Sequence, residues 1–196
     1  QLKMLEHSAF QPLARSMTPM LKEENFHMGT GTSGMQRIIK AGVVPTPLFQ
    51  KWLNKWIPTA YDLFGKDESS SAESAYVWGV KGRYDESPSL EPADKRHLNE
   101  RSRQQFYDEV DGIIQRLNKH VHEGQPLLYT PDLKFNRAIG VHAGETWSVT
   151  GEKLTGSDYA KHLADVLPGP ADEAEVQLLQ QIPEWIEHRD YDPVKM

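Results

Sequence analysis

Apolar residues recur at helical spacing in several parts of the chain. In the most regular stretch, residues 106–121, they return every three or four positions, which predicts an amphipathic helix. A second stripe follows Thr46-Pro47, a favourable helix start because proline suits the first turn. Its apolar members are Leu48, Phe49, Trp52, Leu53, Trp56 and Ile57. We interpret this stripe chiefly as core, with the wall of an aromatic-acyl pocket as the alternative for Trp52 and Trp56.

Prolines and glycines punctuate the N-terminal region. The pattern predicts that a helix over residues 1–10 continues from an earlier start and that a new helix begins at Thr18-Pro19. Three glycines at positions 29, 31 and 34 predict a break. A short amphipathic helix is then expected from Met35 to Lys40.

The C-terminal half has a more mixed pattern. A short helix is predicted at 75–80. Weak alternation at 134–139 and 146–149 predicts a small β-hairpin. Ser157-Asp158 is expected to cap a helix that ends near Leu167, and a last helix is predicted from Asp172 to His188 with an interruption at Pro183.

Composition excludes several classes of function. The chain has 196 residues, with 28 acidic against 22 basic side chains and a net charge of -6, and its cations are not clustered, so nucleic acid is not an expected partner. Cysteine is absent, which excludes disulfides, a catalytic thiol and iron–sulfur clusters held by this chain. No apolar run is long enough to span a membrane, and we expect a cytoplasmic protein without a membrane partner.

One pair of residues has the spacing of metal ligands. Glu24 and His27 are three residues apart and share a helix face, so one metal ion can bind both side chains. Glu-x-x-His is the recurring unit of ferritin-like di-metal sites, which need six protein ligands, and one copy is half a site at most. The alternatives are an exposed helix end, or an ordinary ion pair of His27 with Glu23.

The other candidates for chemistry are weaker. If a helix begins after the glycines, its free N–H groups favour an anion such as a CoA phosphate, with Arg37 and Lys40 as reinforcing cations. A simple helix cap is the alternative for these glycines. Six further histidines lack a glutamate three residues before them and are interpreted as solvated or capping: His7, His97, His120, His122, His142 and His162.

Several stretches together resemble a known family. They are KEENFHMGTG at 22–31, PTP at 45–47, WLNKW at 52–56, DLFGKDESSS at 62–71, YVWG at 76–79, KGRYDE at 81–86 and PDLKFN at 131–136. These stretches resemble the oxygenase component of benzoyl-CoA epoxidase, a class I di-iron benzoyl-CoA oxygenase. The resemblance covers effectively the whole chain, and the GKDESSS segment favours this family over the related phenylacetyl-CoA epoxidases.

The resemblance implies a function in aerobic benzoate degradation. Members epoxidise the ring of benzoyl-CoA with O2 at a non-haem di-iron centre, and NADPH electrons come from a separate reductase with FAD and an iron–sulfur cluster. The absence of cysteine agrees with that division of labour. By matching position, Glu24 and His27 are the C-terminal Glu-x-x-His ligands of the two iron ions.

The resemblance also implies a mainly α fold, namely the C-terminal part of a ferritin-like di-iron helical bundle with a small β-hairpin and a helical C-terminal extension. The expected divisions are 1–64 as bundle core, 65–99 as a surface excursion, 100–126 as a helix packed on the core, and 127–196 as hairpin and helices. The other iron ligands are expected upstream of Gln1, so this chain alone is expected to be inactive. The alternatives are a metal-free helical fragment or interaction module, and a subunit of the phenylacetyl-CoA epoxidase type.

Overall fold

The computed structural model describes residues 1–82 and 98–188, and these residues are mainly helical. The α-helices in these ranges are α1 (Leu2–Glu6), α2 (Gln11–Ala41), α3 (Thr46–Asp62), α4 (Ser70–Val77), α5 (Leu98–Asn118), α6 (Gly156–Val166) and α7 (Pro170–Leu179), followed by a 3₁₀ turn at Pro183–Trp185. The predicted mainly α fold is confirmed. His97 and much of the predicted surface excursion, residues 83–97, lie outside the described residues. Within the described ranges, no helix is long and apolar enough to cross a membrane.

Helix α2 runs without interruption through both of the breaks predicted for it. It contains Pro19 and the three glycines, and it ends only at Gly42, which adopts the left-handed conformation with φ of 71°. The predictions of a restart at Thr18-Pro19 and of a break at the glycines were therefore wrong. A proline removes one backbone donor, and each interior glycine costs about 1 kcal/mol relative to alanine. These local costs do not end the helix, because its buried residues, Met17 towards one end and Ile39 near the other, pack it against the rest of the chain.

Helices α2, α3 and α5 meet in the main hydrophobic core. The buried members of that cluster are Ile39, Ile57, Tyr61, Ile114, Leu117 and Leu128. Helix α3 begins at Thr46 and α5 covers most of the regular stretch at 106–121, so both predicted helices are confirmed. The apolar stripe of α3 is core at Leu48 and Ile57, whereas Trp56 is 59% exposed, which corrects the core interpretation at that position.

The predicted β-hairpin is wrong. Residues 127–150 contain no strand, and the one isolated bridge that the described residues contain pairs Trp147 with Lys153. Instead of pairing, the first predicted strand makes a turn in which the Lys134 N–H donates to the Asp132 carboxylate at 2.8 Å and Phe135 is fully buried. The weak alternation therefore reflects tertiary packing of single side chains and not a sheet surface.

The C-terminal helices are near their predicted places. Helix α6 begins at Gly156, with Thr155 as the N-cap in place of the predicted Ser157-Asp158, because the Thr155 hydroxyl accepts from the Asp158 N–H at 3.3 Å. The predicted last helix is replaced by α7, which starts two residues earlier at Pro170, and by the 3₁₀ turn that begins at Pro183.

The short helix predicted at 75–80 is present as α4, which begins five residues before its predicted start.

An ion pair joins α7 to α3. The Asp172 carboxylate accepts from the Gly169 N–H at 2.8 Å and from Lys51 Nζ at 2.8 Å. The Gly169 hydrogen bond, followed by the bond and charge of Lys51, lowers the pKa of Asp172. A carboxyl whose pKa is lowered by folding stabilises the fold above its unfolded pKa, and this contribution is lost as the pH falls through the folded pKa.

We therefore expect Asp172→Asn to lower the free energy of unfolding at neutral pH by about 1 kcal/mol. The difference from the wild type should shrink at acidic pH, where the wild-type carboxyl is itself protonated. Urea unfolding at the two pH values measures this. Equal stability of the two proteins at neutral pH would show that the pair contributes nothing.

Candidate functional site

Glu24 and His27 lie on adjacent turns in the middle of α2. The His27 Nδ1 atom is 3.8 Å from Glu24 Oε2, and the side chains are 57% and 59% exposed. The three-residue spacing thus brings the two donor atoms to one side of the helix, as predicted. The structure pairs His27 with Glu24, which is the partner that the spacing favoured over Glu23. Metal ligation itself remains a prediction.

The surface of α2 around this pair is uncovered. Residues 22–31 are all exposed, and the apolar neighbours Met20, Phe26 and Met28 are 42%, 72% and 54% exposed. In residues 1–82 and 98–188, no group of three or more His, Cys, Asp or Glu side chains is arranged to hold a metal ion. The described part of one chain therefore offers this pair of donors and lacks a complete set.

Arg37 and Lys40 lie in a different setting from the one predicted. The helix start on which their anion-binding role depended is absent, because α2 is continuous there. Arg37 Nε donates to the Glu187 carbonyl at 2.6 Å, the Glu187 N–H donates to the Arg37 carbonyl at 3.0 Å, and Lys40 Nζ is 3.9 Å from Glu187 Oε2. Both cations thus contact the C-terminal segment, and their role toward substrate remains a prediction.

An apolar cleft of about 450 Å³ lies near the C-terminal end of α2. It is lined by Met35, Ile38, Val44, Leu48, Phe49, Trp52, Leu53, Trp56, Val176, Leu179, Gln180 and Trp185. Trp52 and Trp56 thus line a cavity, as the alternative interpretation of the α3 stripe required. The first α2 residue of the cleft, Met35, is eight residues beyond His27, which is about 12 Å along a helix. A ring in this cleft is therefore not beside the Glu24 and His27 pair.

Several of the other histidines have structural partners. His122 Nε2 lies 2.9 Å from the Lys40 carbonyl at the end of α2, and His162 Nε2 accepts from the Val149 N–H at 2.9 Å. The His122 contact agrees with the predicted capping role, whereas His162 bonds the N–H of a loop residue and caps no helix. His142 Nδ1 is 2.9 Å from Glu145, which also accepts from a tryptophan N–H, and these interactions lower the pKa of Glu145.

A buried ion pair escaped the sequence prediction. Arg137 Nε donates to Asp62 Oδ1 at 2.7 Å, and their side chains are only 2% and 13% exposed. The Asp62 carboxylate also accepts from the Ala138 N–H at 2.9 Å. Nearby, Arg103 Nε donates to the Tyr61 carbonyl at 3.0 Å, and burial lowers the pKa of Arg103. No local spacing signals this network, because Asp62 and Arg137 are 75 residues apart.

Comparison with known proteins identifies relatives of the chain. It is 30% identical, over 91% of its length, to benzoyl-CoA oxygenase component B of Aromatoleum evansii. The predicted resemblance is confirmed. A more distant relative is one of the polypeptides of the 1,2-phenylacetyl-CoA epoxidase of Escherichia coli, with 26% identity over 76% of the chain. No family model matches the sequence.

The match to component B extends over only part of that protein. The chain spans 47% of component B and 43% of the phenylacetyl-CoA epoxidase polypeptide, which is about half the length of these relatives. The relatives are by name an oxygenase component and one subunit of an epoxidase.

Proposed function

We propose that this chain is part of an oxygenase component that epoxidises the ring of benzoyl-CoA with O2 at a non-haem di-iron centre. The observation that carries the proposal is the similarity to component B over 91% of the chain, together with the shared face of Glu24 and His27. A ferritin-like helical bundle is the fold proposed for the complete site.

The types of donor in the pair suit this chemistry. A hard carboxylate oxygen from Glu24 and a neutral imidazole nitrogen from His27 are the ligands that non-haem iron uses in oxygenases. When bound, the two iron ions supply the O2 activation that no amino-acid side chain provides. Glu24 and His27 would hold iron from one face of α2, and the continuity of the helix fixes the distance between them.

The remaining donors must come from outside the described part of one chain. Six protein ligands hold the two metals in ferritin-like sites, and this pair accounts for two of them. The apolar exposure of Met20 and Met28 on either side of the pair agrees with a surface that another element covers in the working protein. Such a cover also excludes water from the reacting atoms.

The proposed overall reaction balances with NADPH as the reductant. Benzoyl-CoA, O2, NADPH and one proton give the ring epoxide, water and NADP⁺. One oxygen atom enters the ring and the other leaves as water. Because this chain contains no cysteine to hold an iron–sulfur cluster, we propose a separate FAD and iron–sulfur reductase as the electron donor.

The test is turnover by the native protein that carries this sequence, loaded with Fe(II) and supplied with a reductase, NADPH and O2. We expect an oxygenated benzoyl-CoA carrying one ¹⁸O atom from ¹⁸O2, and NADPH consumption that requires the thioester. Phenylacetyl-CoA is the matched control substrate. Faster oxygenation of phenylacetyl-CoA would reassign the protein to the second relative's activity. Failure to bind iron would contradict the proposal and favour a metal-free interaction module.

A further inference from the structure

The apolar cleft of about 450 Å³ has a floor that rests on the main hydrophobic core. The floor is made by side chains of α2 and α3, and its members Met35, Phe49 and Leu53 also pack against the buried core cluster. Trp52 and Trp56 of α3 add two aromatic walls. Because the interior of a protein is close-packed, side chains that rest on the core keep a fixed shape. The floor of the cleft is therefore preformed.

The roof of the cleft is residues 170–188, which comprise α7 and the 3₁₀ turn after it. Val176, Leu179 and Trp185 line the cleft from this side. Within α7, positions 172, 176 and 179 are half-buried, every other residue is exposed and none is fully buried. A segment with so few buried contacts opens at a low free-energy cost. The roof can therefore move while the floor stays in place.

Polar contacts fasten the roof near both of its ends. Near its start, Lys51 Nζ of α3 donates to the Asp172 carboxylate at 2.8 Å. Near its end, Arg37 Nε of α2 donates to the Glu187 carbonyl at 2.6 Å, and the Glu187 N–H donates to the Arg37 carbonyl at 3.0 Å. Between these contacts the roof spans the cleft, so a molecule inside it touches the roof and the floor together.

The lining of the cleft selects a neutral aromatic ligand. The described residues that line it include no charged side chain, and Gln180 contributes a single polar group. An ionised group inside would lose its hydration without gaining a partner, which is costly. The rings of Trp52, Trp56 and Trp185 favour a further ring through offset-stacked or edge-to-face contacts. The volume of the cleft also lies in the range of small-molecule sites.

We propose that this cleft binds a neutral aromatic molecule of one or two rings and that residues 170–188 close over it. The site is separate from the proposed iron centre, because Met35 is about 12 Å along α2 from His27. Binding in the cleft needs neither iron nor a CoA group, whose phosphates would find no cation among the lining residues. The inference therefore goes beyond the proposed function and does not depend on it.

Titration calorimetry of the native protein that carries this sequence tests the site. The probe is indole, a neutral molecule of two rings with one N–H group. We expect saturable binding at one site per chain with a Kd below about 1 mM, which is within reach of so small a ligand. Indole-3-acetate is the matched control, because it adds a carboxylate to the same rings. Its Kd should be at least about tenfold higher, since its charge would enter the cleft without a partner.

Paired substitutions in the roof locate the bound probe. The double variant Val176→Trp, Leu179→Trp adds two rings that take up volume inside the cleft, so the Kd of indole should rise at least about tenfold. The double variant Gln177→Trp, Leu178→Trp adds the same rings at exposed positions of α7 and should leave the Kd unchanged. Because no residue of α7 is fully buried, both variants should fold, and circular dichroism checks this.

Amide hydrogen exchange tests the closing of the roof. If opening of α7 destroys the site, indole at ten times its Kd should slow exchange in α7 by about tenfold. The same indole concentration should leave exchange in α7 unchanged in the variant Val176→Trp, Leu179→Trp.

Several outcomes would overturn this site. These are no saturable binding of indole, equal affinity for indole-3-acetate, and unchanged affinity in the variant Val176→Trp, Leu179→Trp. Unchanged exchange in α7 of the wild type would overturn the closing roof. Displacement of indole by benzoyl-CoA would show that the cleft is an acyl pocket and not a separate site. The binding and exchange readouts need neither iron nor turnover, so their failure leaves the oxygenase proposal standing.

Discussion

Replacing Asp62 with alanine is expected to lower the free energy of unfolding by about 3–5 kcal/mol. Asp62 is the last residue of α3. Its carboxylate accepts hydrogen bonds from Arg137 Nε at 2.7 Å and from the Ala138 N–H at 2.9 Å. Without it, the guanidinium of Arg137, only 2% exposed, keeps its charge in the interior without its carboxylate partner. The large cost arises because the charge is no longer compensated, and it exceeds the net contribution of the intact pair.

Chemical denaturation measures this change, and an exposed ion pair gives the matched control. Lys3 and Glu6 are 3.9 Å apart on the surface of α1, so Glu6→Ala is expected to change the stability by less than about 1 kcal/mol. The double variant Asp62→Ala, Arg137→Leu should recover part of the loss, because it removes the uncompensated charge. A loss below about 1 kcal/mol for Asp62→Ala would show that water or another group compensates Arg137.

The helices that sequence periodicity predicted best are those whose environment is uniform along their length. Helix α5 packs one continuous face on the core, from Phe106 to Leu117, so its local pattern already contains the relevant information. The hairpin prediction failed where single distant contacts decide the backbone. Arg137 is held by Asp62, which is 75 residues earlier, and no local pattern near 134–139 records that contact.

The glycines of α2 failed as a signal for another reason. A glycine lowers helix propensity without removing a hydrogen bond, so Gly29 and Gly31 weaken the helix but do not end it. The residue that does end it, Gly42, adopts a positive φ that glycine accepts readily. Helix propensity alone therefore could not distinguish the interior glycines from the terminal one.

The candidate site could be predicted only in part, for a related physical reason. The spacing of Glu24 and His27 is a local property of a helix, and the structure reproduces the shared face it implies. The anion site at Arg37 and Lys40 depended on a helix start, and that start proved absent. The proposed iron site needs four further protein ligands, and the local spacing of Glu24 and His27 cannot encode where those ligands lie.

The largest functional effect is expected from Glu24→Ala and His27→Ala. If both side chains bind iron, each substitution should lower benzoyl-CoA turnover in the native protein by more than about 100-fold, because changes to groups that only support metal ligands already cost 10–100-fold. The fold should persist, because both positions are exposed in the middle of α2 and alanine favours the helix.

The control for this prediction is Glu23→Ala, which removes an equally charged side chain from the same exposed turn without touching the Glu24 and His27 pair. Turnover and iron content are measured together with circular dichroism, so that loss of ligation is separated from loss of structure. Loss of turnover and iron in the two site variants, with both retained in Glu23→Ala, is the expected result. Normal turnover in either site variant would show that the substituted residue is not an iron ligand.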